Sequence, residues 1–320
     1  MLPAIVVLLG PTGVGKTPLA VTLARQVGGE VVSADSRQIY RRMDIGTAKP
    51  TAEQRAAVPH HLVDVAEPDA DFTLADFCER ARAAFVEITA RGRVPLLVGG
   101  TGQYLAAIME GWRVPRVPPQ ETLRAQLQEE ARQHGPAALH RRLQAVDPAA
   151  AASILPGNVR RIIRALEVYE YTGEPFSHLR RREAPPYTFV VLGLTMERPA
   201  LYRRVDGRAQ EMVRQGLVEE VRGLLAAGYG WDLPAMSGLG YVQLRAYLEG
   251  EAPLEESLAR LQYDTHAFIR HQYTWFRRFP VERWVDAGDE TECQGVLAVA
   301  QEWLEEQVAG CKLQVTRPGD

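Results

Sequence analysis

Apolar runs and helical periodicities alternate along the first hundred residues. Ala4–Leu9 is an uninterrupted apolar, β-rich run, which predicts a strand buried on both faces. A helical pattern follows over 17–27, a second strand over 30–34, an amphipathic helix over 75–90 and a third buried strand over 94–98. Short apolar strands alternating with helices predict an α/β fold, a parallel sheet flanked by helices. The proline-rich stretch 114–119 (VPRVPP) breaks this pattern. From about 121 to 171 the periodicity is helical, with no strand. A second break at 180–186 (RRREAPP) precedes an apolar strand over 187–194. These breaks predict an all-helical insertion, 116–183, within a core formed by 1–115 and 184–320. The rest reads as helices over 200–216, 217–227, 239–248 and 254–279, an edge strand over 281–285 and a last helix over 294–308.

Composition narrows the class. The chain has 320 residues, 46% of them apolar, enough for a large core and too apolar for disorder. Its longest apolar run is far short of the roughly 20 residues of a membrane span. The start MLPAIVVLLG lacks a basic leader segment and runs into a glycine loop, so it reads as a strand. Cys78, Cys293 and Cys311 show no metal or disulfide spacing, which points to a reducing, cytoplasmic setting. With no coiled coil or exposed apolar repeat, the expected state is a monomer.

Net charge is −3, yet its distribution is uneven. Residues 116–183 and 260–284 each carry an excess of three positive charges, and 285–320 an excess of six negative ones. Only Lys16, Lys49 and Lys312 among the 37 basic residues are lysines. Arginine brings a planar fork suited to phosphate, so a polyanionic partner is compatible with the acidic total.

The strongest chemical signal is Gly10-Pro11-Thr12-Gly13-Val14-Gly15-Lys16-Thr17, a G-x-x-x-x-G-K-[ST] loop between a strand and a helix. Its backbone N–H groups cradle phosphate oxygens, Lys16 adds a point charge, and Thr17 offers a hydroxyl to Mg²⁺. The motif specifies diphosphate or triphosphate binding, not the reaction. Asp35 follows the second strand, where parallel sheets place their ligands. It reads as a metal ligand, a general base or a helix-capping turn residue. Thr101 follows Gly99-Gly100 after the third strand and reads as a donor to phosphate or nucleobase, or as a plain turn.

Two arginine faces accompany these loops. Over 159–169, Val159, Ile162, Ile163, Leu166 and Tyr169 share one helical face, with Arg160, Arg161 and Arg164 opposite. Asn158 reads as the N-cap and Gly173 as the stop. Around Arg270, the residues Phe268, Ile269, Phe276 and Phe279 form the expected buried stripe, with Arg270, His271, Thr274, Arg277 and Arg278 opposite. Each face reads as solvated or as RNA-binding.

Taken together, GPTGVGKT, VVSADSRQIYRRMDIGTAKP and LLVGGTGQYL resemble the signature set of tRNA dimethylallyltransferases, also called tRNA isopentenyltransferases. The likeness continues through PHHL with Asp64, FTLADF, RRIIRALEV, RVDGR, GLVEE, LGY and RHQYTWFR, in order over about 4–285. The family implies transfer of a dimethylallyl group from dimethylallyl diphosphate to N6 of the adenine at tRNA position 37, just 3′ of the anticodon. It implies a P-loop nucleotide-kinase-like core, Mg²⁺, and a helical insertion that grips the anticodon stem-loop. On this resemblance Asp35, Thr101 and Arg208 are the catalytic set, with Arg204 the rival of Arg208. The tRNA contacts are Asp35, Ser36, Arg37, Gln38, Thr101, Arg124, Asn158, Arg160, Arg161, Arg164, Gly240, Tyr241, Arg270, His271, Gln272 and Arg277. Ser36 and Gln38 read the edge of the flipped adenine. His60 and His61 match the family pattern and read as structural. The zinc finger of many eukaryotic relatives is absent, since no histidine follows His271. A P-loop kinase acting on a nucleoside or small alcohol is the alternative.

Overall fold

A computed structural model describes residues 2–179 and 182–315, the last eight as backbone only. Arg180, Arg181, the side chain of Cys311 and the end of the acidic tail lie outside the described residues. Six parallel strands form one sheet: β1 (Ala4–Leu9), β2 (Gly29–Ala34), β3 (His60–His61), β4 (Val94–Gly99), β5 (Thr188–Thr195) and β6 (Arg283–Asp286), in the order β3-β2-β4-β1-β5-β6. The helices are α1 (Lys16–Val27), α2 (Ala52–Ala57), α3 (Leu74–Ala90), α4 (Gly102–Met109), α5 (Glu121–His134), α6 (Pro136–Val146), α7 (Pro148–Ser153), α8 (Val159–Thr172), α9 (Phe176–Leu179), α10 (Arg198–Arg214), α11 (Leu217–Ala226), α12 (Arg245–Leu248), α13 (Leu254–Phe276) and α14 (Glu290–Val315).

The chain packs as two units, one of 1–109 with 186–320 and one of 110–185. In the first, the central strand β1 is apolar throughout because β4 and β5 flank it and helices cover both faces. Val6, Leu8, Leu96 and Leu192 pack against Leu23 of α1, Leu201 and Val205 of α10 and Ile269 of α13. Register aligns the strand ends. Leu9 lies opposite Gly99 and Gly193, and Ala34 opposite Gly99. The segments after β1, β2 and β4 therefore leave one edge of the sheet, where this fold class binds ligands.

Several elements differ from the sequence expectation. The two-residue strand β3, paired with Val31 and Val32, has no apolar period to announce it. Residues 239–248 do not form one helix. They form a 3₁₀ turn, Val242–Leu244, and a single helical turn, α12, because Tyr241 is fully buried with its hydroxyl on Glu220. Phe268 is 39% exposed and leaves the buried stripe to Ile269, Phe276 and Phe279. The last helix starts at Glu290 rather than 294, since Asp289 Oδ1 accepts from the N–H groups of Thr291 and Glu292.

The second unit is helical. Leu127, Leu139, Leu143, Ile162, Ile163 and Leu166 form its core. It spans 110–185, and at its start the Gly111 carbonyl accepts from the N–H of Glu183 and Trp112 bridges to Arg182. Asn158 caps α8 by accepting from Arg161 N–H, and Gly173 ends it. Inside this unit lies the carboxylate of Glu167, fully buried. It accepts from Arg124 at 2.7 and 3.1 Å, from Arg164, and from the Gln120 N–H at 2.8 Å. Burial alone would raise its pKa, but these hydrogen bonds outweigh it and hold the group below the usual carboxylate value. Arg124 and Arg164, expected to contact RNA, are thus turned toward an internal charge. A depressed folded-state pKa contributes stability present at neutral pH and lost as pH falls through it. Glu167→Leu is expected to cost about 2–3 kcal/mol, less than a fully buried pair, because both arginines reach water. Denaturant melts of the full chain check this.

Candidate active site

The phosphate loop begins where β1 ends. Gly13 and Gly15 have φ of +79° and +107°, a region unfavourable to other residues. A Cβ on Gly13 would also stand 2.3 Å from Val205 Cγ1, and one on Gly15 3.4 Å from Arg204 Nη2. Helix α10 therefore lies over the loop, carrying Arg204 to its rim. Gly15 gives α1 no side-chain cap, so the first-turn N–H groups are left to a ligand.

Lys16 Nζ donates to the carbonyls of Gly10 and Pro11 at 2.9 and 2.8 Å. Desolvation pushes its pKa down to about 8; the Asp35 charge opposes this and Arg208 adds to it. Arg208 is lowered for the same first reason, desolvation, with Asp35 again opposing and Arg204 assisting. Lys16, Asp35, Arg208 and Arg204 thus form one interacting cluster. Arg208 also lines a cavity of about 600 Å³ with Lys49, Arg55, Asp44 and Asp64. The sequence expectation gave Arg204 and Arg208 as rivals; the structure brings both to the cluster.

Asp35 closes a turn. Its Oδ1 accepts from the N–H groups of Arg37 and Gln38 at 2.8 and 3.3 Å, and its Oδ2 has no hydrogen bond among the described residues. The turn reading and a chemical role are therefore compatible, one oxygen serving each. Thr101 Oγ1 accepts from Ser36 N–H at 3.1 Å, tying the β4 segment to this turn.

Other expected contacts face inward. Gln38 receives the Ser33 hydroxyl and donates to the carbonyls of Thr47 and Ala48, so its amide is committed to the protein rather than to a nucleobase. Arg37 donates to Pro234, Ala235 and Ser237. Tyr241 is buried, and Gly240 N–H donates to Gln243. Gln272 is buried between Thr12 and Gly100. Arg160, Arg161, His271 and Arg277 are exposed; Arg270 is exposed too, donating to Tyr202 Oη.

Sequence reasoning missed two supports. Glu220 accepts from the N–H groups of Asp44, Ile45 and Gly46 and from Tyr241 Oη at 2.6 Å, holding loop 44–46. Lys49, its side chain 3% exposed, donates to Tyr40 O, Asp44 and Asp64. Its scarcity as one of three lysines was the available signal. His61 binds Glu30 at 2.7 Å and His60 the Val58 carbonyl, the structural roles expected.

Residues 38–279 match the family profile described as IPP transferase. The chain belongs to the IPP transferase family. Residues 3–60 also match the profile for isopentenyl transferase. Among relatives of this family, the tRNA dimethylallyltransferase of Roseiflexus sp. (strain RS-1) is 54% identical over 305 residues, covering 95% of this chain and 100% of that protein. That of Chloroflexus aurantiacus is 59% identical over 281 residues, covering 88% and 95%. The tRNA isopentenylpyrophosphate transferase of Bacillus halodurans superposes with a TM-score of 0.71 at 39% identity, covering 96% of this chain and 98% of that one. A eukaryotic dimethylallyltransferase acting on tRNA shares the fold, with a TM-score of 0.81 at 24% identity over 95% and 80% of the two chains.

Proposed function

We propose that this chain transfers the dimethylallyl group of dimethylallyl diphosphate to N6 of the adenine at tRNA position 37. The observation that carries the reading is one sheet edge holding both a phosphate loop and, beside it, a carboxylate whose second oxygen has no hydrogen bond among the described residues. Family membership favours prenyl transfer over the kinase alternative.

The chemistry follows from these groups. An exocyclic aromatic amine is a weak nucleophile, since its lone pair is delocalised. As the N6–C1 bond forms, Asp35 Oδ2 accepts the N6 proton. As the C1–O bond breaks, negative charge grows on the diphosphate. The loop N–H groups, Lys16 and the guanidinium groups of Arg204 and Arg208 stabilise it. Thr101 fixes the turn against which the adenine is presented.

The residues present suit Mg²⁺. Among the described residues no cluster of three histidine, cysteine or acidic side chains could cage a metal. The Thr17 hydroxyl makes no hydrogen bond among them. Mg²⁺ takes oxygen donors and usually keeps waters beside substrate phosphates, so Thr17 would hold it with the diphosphate. Bound there, it would neutralise charge on the leaving group.

The RNA-contacting side chains in this reading are Arg160 and Arg161 on α8 of the helical unit and, separately, Arg270, His271 and Arg277 on α13 of the sheet-containing unit. Changing Arg160 and Arg161 together to Ala is expected to weaken tRNA binding and reduce the slope of log affinity against log salt by about two. An unchanged slope, measured by filter binding, would make these side chains merely solvated. On this reading the enzyme works as a monomer in the cytoplasm; no described helix is long and apolar enough to cross a membrane. Pyrophosphate release that requires tRNA and proceeds without ATP tests the reaction class. Phosphate transfer from ATP instead would favour the kinase.

A further inference from the structure

Gln272 sits near the end of α13 with 4% of its surface exposed. Its Oε1 accepts from the Thr12 N–H at 2.9 Å, and its Nε2 donates to the Gly100 carbonyl at 3.0 Å. The partners fix the orientation of the amide, because an N–H requires the oxygen and a carbonyl requires the nitrogen. A Cβ on Gly100 would fall 2.5 Å from Nε2, so the glycine leaves room for this side chain. About one turn beyond Gln272, Trp275 packs where a Cβ on Gly102 would lie 2.3 Å from its Cγ.

Thr12 belongs to the loop that holds the diphosphate. Gly100 precedes Thr101, whose hydroxyl accepts from Ser36 N–H, next to Asp35. A continuous path of short contacts therefore runs from the phosphate loop through Gln272 to the turn carrying the base. Displacement at an allylic carbon needs nucleophile, carbon and leaving oxygen in line. The separation between these two loops is therefore a catalytic distance.

We infer that Gln272 is a positioning residue that sets the diphosphate loop and the Asp35 turn at this working separation. Although it lies between Arg270 and Arg277 in sequence, its amide has both ends committed within the protein and faces no RNA. The inference rests on the proposed prenyl-transfer reaction.

The test compares the full-length protein with Gln272→Met, which keeps length and loses both hydrogen bonds. Steady-state kinetics with dimethylallyl diphosphate and tRNA are read beside tRNA affinity. The expected result is a fall in kcat of about 10²-fold with tRNA affinity unchanged. Gln272→Glu keeps the acceptor for Thr12, sets an oxygen against the Gly100 carbonyl, and brings a negative charge toward the diphosphate. It is expected to raise KM for dimethylallyl diphosphate beyond the Met variant, and it decides the matter if the Met variant does not fold. A lowered melting temperature with unchanged kcat and KM would overturn the inference in favour of a purely structural role. So would lost tRNA affinity at unchanged kcat. A wild-type protein that transfers no prenyl group would remove the ground for the reaction itself, an outcome distinct from either.

Discussion

Asp35→Asn is expected to lower prenyl transfer by about 10²–10⁴-fold while leaving tRNA affinity unchanged. The asparagine retains an Oδ1, so the hydrogen bonds from Arg37 and Gln38 persist and the turn keeps its shape. What changes is the second oxygen, which is replaced by an amide nitrogen that cannot accept the N6 proton. Single-turnover transfer, read beside equilibrium tRNA binding, separates the two quantities. A comparable loss in both would show that Asp35 holds the RNA rather than the proton.

Lys16 gives the second large effect. Lys16→Met removes the charge facing the leaving group and is expected to cost about 10²–10³-fold in transfer. The wild-type protein also carries a pH signature. Lys16 is charged below its pKa of about 8 and neutral above it. The value of kcat/KM for dimethylallyl diphosphate, which reports the free enzyme, should therefore fall as pH rises through about 8. The charge of Asp35 raises the Lys16 pKa. The residual activity of Asp35→Asn should accordingly lose its alkaline limb at a lower pH than wild type. A pH profile flat across this range would remove Lys16 from the binding of the diphosphate.

The fold and the reacting edge were legible because they rest on local signals. The apolar run of β1, the glycine loop and the first turn of α1 are contiguous, and Asp35 and Thr101 each follow a strand. Parallel register then brings these three ends together without further information. Partners far apart in sequence were not legible. Gln272 meets Thr12 across 260 positions, and periodicity assigns a residue to a face but not to a neighbour. The helical wheel of α8 sets Arg164 opposite the apolar stripe of Val159, Ile162, Ile163, Leu166 and Tyr169. It could not show that Glu167, buried beneath, would draw Arg164 and Arg124 inward. Gln38 has the chemistry of an adenine reader, yet the backbone of loop 47–48 already satisfies it. The buried Tyr241 and the half-buried Glu220 form a pair whose purpose, holding loop 44–46, appears only in three dimensions.

In the proposed mechanism one sheet edge joins diphosphate departure to proton removal from an adenine amine. The measurement closest to it is nucleoside mass spectrometry on tRNA incubated with the protein and dimethylallyl diphosphate, without ATP. One added C₅H₈ unit is expected on the adenosine 3′ of the anticodon with wild type, and its near absence with Asp35→Asn. Unmodified adenosine with the wild-type protein, or equal modification by both, would contradict this mechanism.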